Sequence, residues 1–65
     1  MNLSNAIKQL RRQMFLNQNE FGDLLGVSFV TISRREKGIS IPNLKKLKIL
    51  FQLFEDYQIK VNKKI

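Results

Sequence analysis

The chain is 65 residues long and 43% hydrophobic, which suits one small domain with a single core and is too apolar for a disordered tail. It contains no cysteine and no histidine, so disulfide bonds, thiol catalysis and the usual general base at neutral pH are excluded. Twelve Lys and Arg against five Asp and Glu give a net charge of +7, an excess typical of proteins that bind nucleic acid or, second, an anionic membrane surface. We therefore expect no enzyme, no metal site and no cofactor.

The positive charge is concentrated in the second half of the chain. Residues 1–33 carry three cations against two carboxylates, a net of +1, whereas residues 34–65 carry nine against three, a net of +6. No stretch approaches the roughly 20 apolar residues that a membrane span requires. In residues 1–12 the charges follow the apolar residues, which is the reverse of the order in a signal peptide. We therefore expect a cytoplasmic protein.

The first predicted element is an amphipathic helix. Its apolar residues recur at intervals of four, three and four, namely Leu3, Ile7, Leu10 and Met14. This spacing places them on one helical face. Asn2 or Ser4 is the candidate N-cap.

A short second helix is predicted over residues 18–25. Asn17 and Glu20 have the spacing of a capping box, in which each satisfies a free backbone amide of the other. Leu16 and Phe21 bracket this cap as a hydrophobic staple. Gly26 is suited to the left-handed conformation that ends a helix. The inward face of this helix is predicted to be Phe21, Leu24 and Leu25.

The same signals repeat at once for a third helix. Ser28 is its candidate cap, Val27 and Ile32 form a second staple, and Gly38 ends the helix. Only Gly26 and Val27 separate the second helix from the cap of the third, so the two helices must cross steeply.

A fourth helix is predicted after Pro42, which fits a first helical turn. Its inward face is predicted to be Leu44, Leu47, Phe51 and Phe54, with Lys45, Lys46 and Lys48 on the other side, either simply solvated or contacting phosphates. Residues 1–56 are taken as the domain. Residues 57–65 form a tail or short extra element, for which a strand, a fraying helix and an ordered tail are the alternatives. Within it, Lys60, Lys63 and Lys64 are interpreted as solvated, and Tyr57 as a core, dimer-interface or base-stacking residue.

Two short helices joined by a tight glycine turn, in a basic domain, are typical of a helix-turn-helix. If Ile32 points inward, the helical register places four residues toward the same side, namely Ser28, Phe29, Arg35 and Glu36. Val30, Arg34 and Lys37 then point outward, flanked by Thr31 and Ser33. Arginine can donate two hydrogen bonds to guanine, hydroxyls bond bases or phosphates, and valine packs on a thymine methyl group. Phe29, at the exposed first turn, could also pack on a thymine methyl group. The alternative for Val30 is a core position without a DNA role, and the alternative for Phe29 is to cover the end of the first helix.

Residues 16–38, LNQNEFGDLLGVSFVTISRREKG, resemble the helix-turn-helix of Cro/CI-type phage repressors, the Xre family. The resemblance extends over most of residues 7–51 and implies an all-α, four- to five-helix, lambda-repressor-like domain with the helix-turn-helix at helices two and three. The positions that match the family pattern are Leu16, Gln18, Glu20, Leu25, Gly26, Val27, Ser28, Ile32, Ser33, Glu36 and Gly38.

The resemblance implies roles for individual residues. Gln18 is expected to bind a phosphate and to support the third helix. Arg11 and Glu36 occupy the positions of a buried ion pair between helices one and three. Lys37 and Asn43 lie where the loop after helix three approaches the DNA backbone. The full set of candidate DNA-binding residues is Asn17, Gln18, Ser28, Phe29, Val30, Thr31, Ser33, Arg34, Lys37 and Asn43.

The chain departs from the family pattern at several positions. Gly22 stands where the family has alanine, and Arg35 stands where an apolar side chain is common. Gln52 replaces the glycine that separates helices four and five in many members, so a continuous fourth helix is the alternative to a fifth.

The function predicted from these features is sequence-specific binding of double-stranded DNA by a transcriptional regulator of phage or plasmid type. Helix three would enter the major groove, and a homodimer would read paired half-sites. No membrane association and no small-molecule ligand are expected. One alternative is a protein-interaction module that reuses the fold, such as an antitoxin or antirepressor. Membrane-surface binding through residues 44–54 is disfavoured, because a domain this small needs those apolar residues for its core.

Overall fold

Four α-helices are present in the computed structural model, which describes residues 1–62, and that range contains no strand. They are α1 (Leu3–Gln13), α2 (Gln18–Leu25), α3 (Phe29–Glu36) and α4 (Leu44–Asp56). The all-α prediction is confirmed. α4 is continuous past Gln52, and no fifth helix follows it among the described residues.

Each helix begins at a side chain that accepts a hydrogen bond from a backbone amide three residues later. The four N-caps are Asn2, Asn17, Ser28 and Asn43. At α2 the bond is reciprocal, since Glu20 also accepts from the Asn17 amide at 2.9 Å, so the capping box is present. Pro42 precedes the Asn43 cap and lies outside the first turn of α4. The helix starts at Leu44, two residues after Pro42, because Asn43 provides an acceptor for the free amides and proline does not.

All four helices end in the same hydrogen-bond pattern, the Schellman motif. After α2, for example, the Val27 amide donates to the Gly22 carbonyl at 2.9 Å. The motif requires one residue in the left-handed region, and the four residues that take this position are Phe15, Gly26, Gly38 and Gln58. Only the two glycine-terminated ends were indicated by the sequence.

The core lies between α1, α2, α3 and the second half of α4. Its fully buried members include Ile7, Leu10, Phe21 and Ile32. Two residues predicted to face inward do not: Leu24 is 53% exposed and Leu44 is 71% exposed. The short α2 buries only the narrow face around Phe21 and Leu25, and the first turn of α4 extends past the core.

Within α4 the buried face is centred on Leu50 and Phe54, so the predicted inward stripe is shifted around the helix. Leu47 and Phe51, the other two predicted members, are only half-buried at its edge.

The chain after α4 is an ordered tail over residues 57–62. The left-handed Gln58, with a φ of 57°, turns the chain so that Ile59 enters the core. The Asn62 amide donates to the Met1 carbonyl at 2.9 Å, which ties the tail to the start of α1. Residues 63–65 of the predicted tail, with the cations Lys63 and Lys64, lie outside the described residues.

Candidate nucleic-acid interface

The outward face of α3 is the best-formed candidate surface on the molecule. Ile32, on the opposite face, is completely buried and anchors the helix. Phe29 and Val30 are 51% and 43% exposed, so neither is a core residue. Arg34 is exposed one turn after Val30. The first turns of α3 therefore present apolar groups and a guanidinium together to the solvent.

The hydroxyls near the start of α3 are held by local bonds. Ser28, the N-cap, accepts from the Thr31 amide at 3.3 Å, and its Oγ lies 3.1 Å from the Thr31 hydroxyl. Thr31 and Ser33 are half-buried at the flanks of the outward face. These three residues line the edges of the surface that Val30 and Arg34 present.

An ion pair fixes α3 against α1. The Arg11 Nε lies 2.7 Å from Glu36 Oε2, and the Arg11 Nη2 donates to Glu36 Oε1 at 3.1 Å, so the contact is bidentate. The Glu36 side chain is only 3% exposed. The hydrogen bond to Glu36 raises the pKa of Arg11 above its usual value, against a smaller opposing effect of burial. The contact is largely shielded from solvent, with the Arg11 side chain 16% exposed.

The same carboxylate also reaches the start of α2. Gln18 Nε2 donates to Glu36 Oε1 at 3.4 Å, a long bond, and the Arg11 Nη1 donates to the Leu16 carbonyl at 3.1 Å. Gln18 is half-buried in this network, while Asn17 is exposed and its side-chain oxygen is used by the capping box. The network sets the N-terminus of α2 beside α3.

The candidate residues after α3 occupy exposed helix ends. Lys37 is the C-cap of α3, and Asn43 is the N-cap of α4, where its side-chain oxygen accepts from the Lys46 amide. Both side chains are exposed. They border the loop that leads from the outward face of α3 to α4.

Lys46 does not belong to the solvated lysine face that the sequence suggested for α4. Its ammonium donates to the carbonyl of Leu25 at the C-terminus of α2, where a cation is favourable for the helix dipole. Lys45 and Lys48 are exposed as predicted.

The charge distribution leaves most cations free to act at long range. Within residues 1–62, Arg11–Glu36 is the one ion pair. Arg34 and Lys37 therefore have no carboxylate partner in the described part of the chain. An acidic phosphate backbone is the natural complement of such a surface.

Two residues outside this surface are in environments that are unusual for their type. Phe15 is 93% exposed although it is a large aromatic residue, and it has a φ of 59°. Arg35 is only 7% exposed, although arginine is rarely buried without a partner. The helical register and the family's apolar preference at position 35 indicated that Arg35 faces inward, and its burial agrees with this. No sequence signal indicated the exposed, left-handed Phe15.

Comparison with known proteins yields one finding. A family model described as helix-turn-helix matches residues 7–58, which is most of the chain. Neither the curated proteins nor the solved structures contain a significant match. Separately, no helix within residues 1–62 has the length and apolar character needed to cross a membrane.

Proposed function

Because the chain belongs to the Cro/CI-type, Xre-family group of helix-turn-helix DNA-binding regulators, we propose that it is a sequence-specific repressor of phage or plasmid type that acts in the cytoplasm. The proposal depends mainly on one observation, the outward face of α3, where Phe29, Val30 and Arg34 are exposed. The lambda-repressor-like fold of the family presents this helix to the major groove.

Base recognition is assigned to the exposed side chains of α3. Arg34 supplies a planar fork that pairs with guanine O6 and N7. Val30 and Phe29 offer apolar surface to thymine methyl groups, and Ser28, Thr31 and Ser33 offer hydroxyls to bases or phosphates. The Arg11–Glu36 contact holds α3 in place, so these side chains meet the groove with a fixed orientation.

Phosphate contacts are assigned to the helix ends that flank α3. The N-terminus of α2, at Asn17 and Gln18, carries free amides and the positive end of the helix dipole, which favour an anion. Lys37 and Asn43 border the loop on the other side. Contacts on both sides position the protein but carry no sequence information by themselves.

We further propose that the protein acts as a homodimer, since a domain of 65 residues covers few base pairs. A short segment after α3 exposes three large apolar side chains: Ile39 is 70%, Ile41 64% and Leu44 71% exposed. Exposed apolar surface of this kind marks protein contacts. The second candidate function, a protein-interaction module such as an antitoxin or antirepressor, is favoured by the same segment.

Selection of bound duplexes from a random pool tests the function directly. The proposal predicts a consensus with two inverted half-sites, because an isologous dimer reads a palindrome. A single half-site would retain DNA recognition and contradict the dimer. Failure to enrich any sequence would contradict the repressor proposal and leave the protein-interaction module as the better account.

Two variants of neighbouring cations separate base reading from general attraction. Arg34→Ala is expected to cost about 1–3 kcal/mol on the selected site and little on scrambled DNA. Lys37→Ala is expected to weaken binding to both duplexes and to reduce the salt slope by about one. Binding isotherms on both duplexes check this, and an unchanged ratio of selected to scrambled affinity in Arg34→Ala would mean that Arg34 reads no base.

A further inference from the structure

A small cleft lies at the N-terminus of α1, on the side of α3 opposite the proposed base-reading face. Its volume is about 310 Å³, near the lower end of the range for small-molecule sites. The described residues around it come from the start of α1, the inner side of α3, the loop after α3 and the tail, and they include Ser4, Arg35, Gly38, Ser40 and Asn62. Among residues 1–62, no carboxylate lines the cleft.

The most unusual group in the cleft wall is Arg35. The residue is 7% exposed, and its Nη1 is buried with no hydrogen-bond partner among the described residues. Burial lowers the pKa of Arg35 from its usual value, yet arginine stays protonated in proteins. No carboxylate within residues 1–62 forms an ion pair with this guanidinium. A buried guanidinium that lacks a counter-charge is costly, and an anion that reaches it would remove much of that cost.

The N-terminus of α1 adds a second source of positive potential. Asn2 Oδ1 accepts from the Asn5 amide at 2.9 Å and from the Ser4 hydroxyl at 3.1 Å. This cap leaves the amides of Leu3 and Ser4 to other acceptors. The first turn of α1 contains no acidic residue that would offset the helix dipole.

We propose that this cleft binds a phosphate group. The Arg35 fork donates from one side, the Leu3 and Ser4 amides donate from the helix end, and the Ser40 hydroxyl is a further donor. A guanidinium and helix-end amides match the several acceptor oxygens of a phosphate. The site changes the initial expectation that the protein has no small-molecule ligand, and it does not depend on DNA recognition by α3.

The phosphate has two conceivable sources, a free phosphate-bearing molecule and the DNA backbone. The first arm of the test uses inorganic phosphate without DNA, with chloride adjusted to hold the ionic strength constant. At roughly ten times the dissociation constant, the folding equilibrium constant of the wild-type protein is expected to rise about 11-fold. A nitrogen–proton correlation spectrum is expected to show saturable shifts at the Leu3 and Ser4 amides.

Two matched variants assign the effect to the site. Arg35→Leu places an apolar residue at the buried position and is expected to fold but to lose the phosphate response. Arg12→Leu removes an exposed cation from the other end of α1 and is expected to keep it. If Arg35→Leu fails to fold, the amide shifts of the wild-type protein still decide the question.

The second arm measures the affinity of Arg35→Leu for duplex DNA. A response to inorganic phosphate with unchanged DNA affinity supports a free phosphate ligand. A salt slope reduced by about one supports a backbone phosphate at the same cleft. Three results together would contradict the site. Phosphate would shift no amide signal, it would stabilise the wild type no more than Arg35→Leu, and Arg35→Leu would keep the wild-type DNA salt slope.

Discussion

Glu36 connects three parts of the domain through one buried carboxylate. Its oxygens accept from Arg11 on α1 and from Gln18 on α2, while the residue itself belongs to α3. A buried charge is tolerated only when its partners satisfy it. The orientation of α3, and with it the proposed base-reading face, therefore depends on this side chain.

Replacing one partner of this pair is expected to strand the other charge. Glu36→Ala should lower the free energy of unfolding by about 3 kcal/mol, at the low end for buried pairs because the Arg11 side chain is still 16% exposed. In a domain of this size the melting temperature should fall by roughly 4–8 °C for each kcal/mol lost, which thermal unfolding measures.

The control for Glu36→Ala is the double variant Arg11→Met with Glu36→Leu. Because it removes both charges and keeps apolar volume, it is expected to lose less stability than Glu36→Ala alone. Equal losses in the two proteins would mean that packing volume, and not the stranded charge, controls stability here.

Phe15 shows a local conformation imposed by its surroundings. It occupies the left-handed position of the Schellman motif that ends α1, with a φ of 59°, and its side chain is 93% exposed. The conformation costs an L-residue roughly 1–2 kcal/mol. No burial of the ring offsets this cost.

Phe15→Gly is therefore expected to stabilise the protein by about 1 kcal/mol, because glycine adopts the left-handed region freely. The matched variant Phe15→Ala removes the same ring but keeps the unfavourable Cβ, so it should give no such gain. Thermal unfolding of the two variants compares them. Equal stabilisation by both would point to the exposed ring, and not to the backbone, as the source.

At the scale of elements, the contact between α2 and the turn before α3 is unusually close. A Cβ built on Gly22 would lie 2.5 Å from the Val27 carbonyl oxygen, a backbone atom that cannot rotate away. The family resemblance places alanine here. In this chain, glycine lets α2 approach the turn before α3 more closely than alanine would.

Gly22→Ala is expected to destabilise the protein by about 1–3 kcal/mol, because overpacking outweighs the gain in helix propensity. Asn19→Ala, at an exposed position of the same helix, should be neutral or slightly stabilising. Chemical denaturation measures both. A Gly22→Ala variant as stable as the wild type would show that the turn moves aside at little cost.

At the scale of the whole molecule, the net charge of +7 and the scarcity of ion pairs within residues 1–62 act together. Cations without carboxylate partners add to a field that attracts a polyanion from any direction. Phosphate contacts at the N-terminus of α2 and at Lys37 and Asn43 would then fix the orientation in which the polyanion binds.

The affinity for duplex DNA is expected to fall linearly with salt on logarithmic axes, with a slope of roughly −0.9 for each phosphate neutralised. The reason is the release of counterions when lysines and arginines replace them. Titrations at several salt concentrations measure the slope, and Lys8→Ala, outside the proposed contact set, is expected to keep it. A flat salt response would contradict phosphate contact altogether.

The sequence alone determined the parts of this protein that depend on neighbouring residues in the chain. The Asn17 and Glu20 box, the Ser28 cap and the glycines at positions 26 and 38 predicted the limits of α2 and α3. Such signals work because a cap or a turn is made within four or five residues. The motif residues in register over positions 16–38 predicted the family. The helical spacing from Ile32 predicted that α3 exposes Val30, Arg34 and Lys37.

Only the tertiary structure decided which side of each element is covered. It exposed Leu44 and buried Leu50, and it placed the Lys46 ammonium on the end of α2. It left the Arg35 Nη1 buried with no hydrogen-bond partner among residues 1–62. It also set Phe15 and Gln58 in left-handed conformations that local propensity disfavours. These outcomes depend on contacts between residues far apart in the chain, and the free energy of burying the core there outweighs local preference.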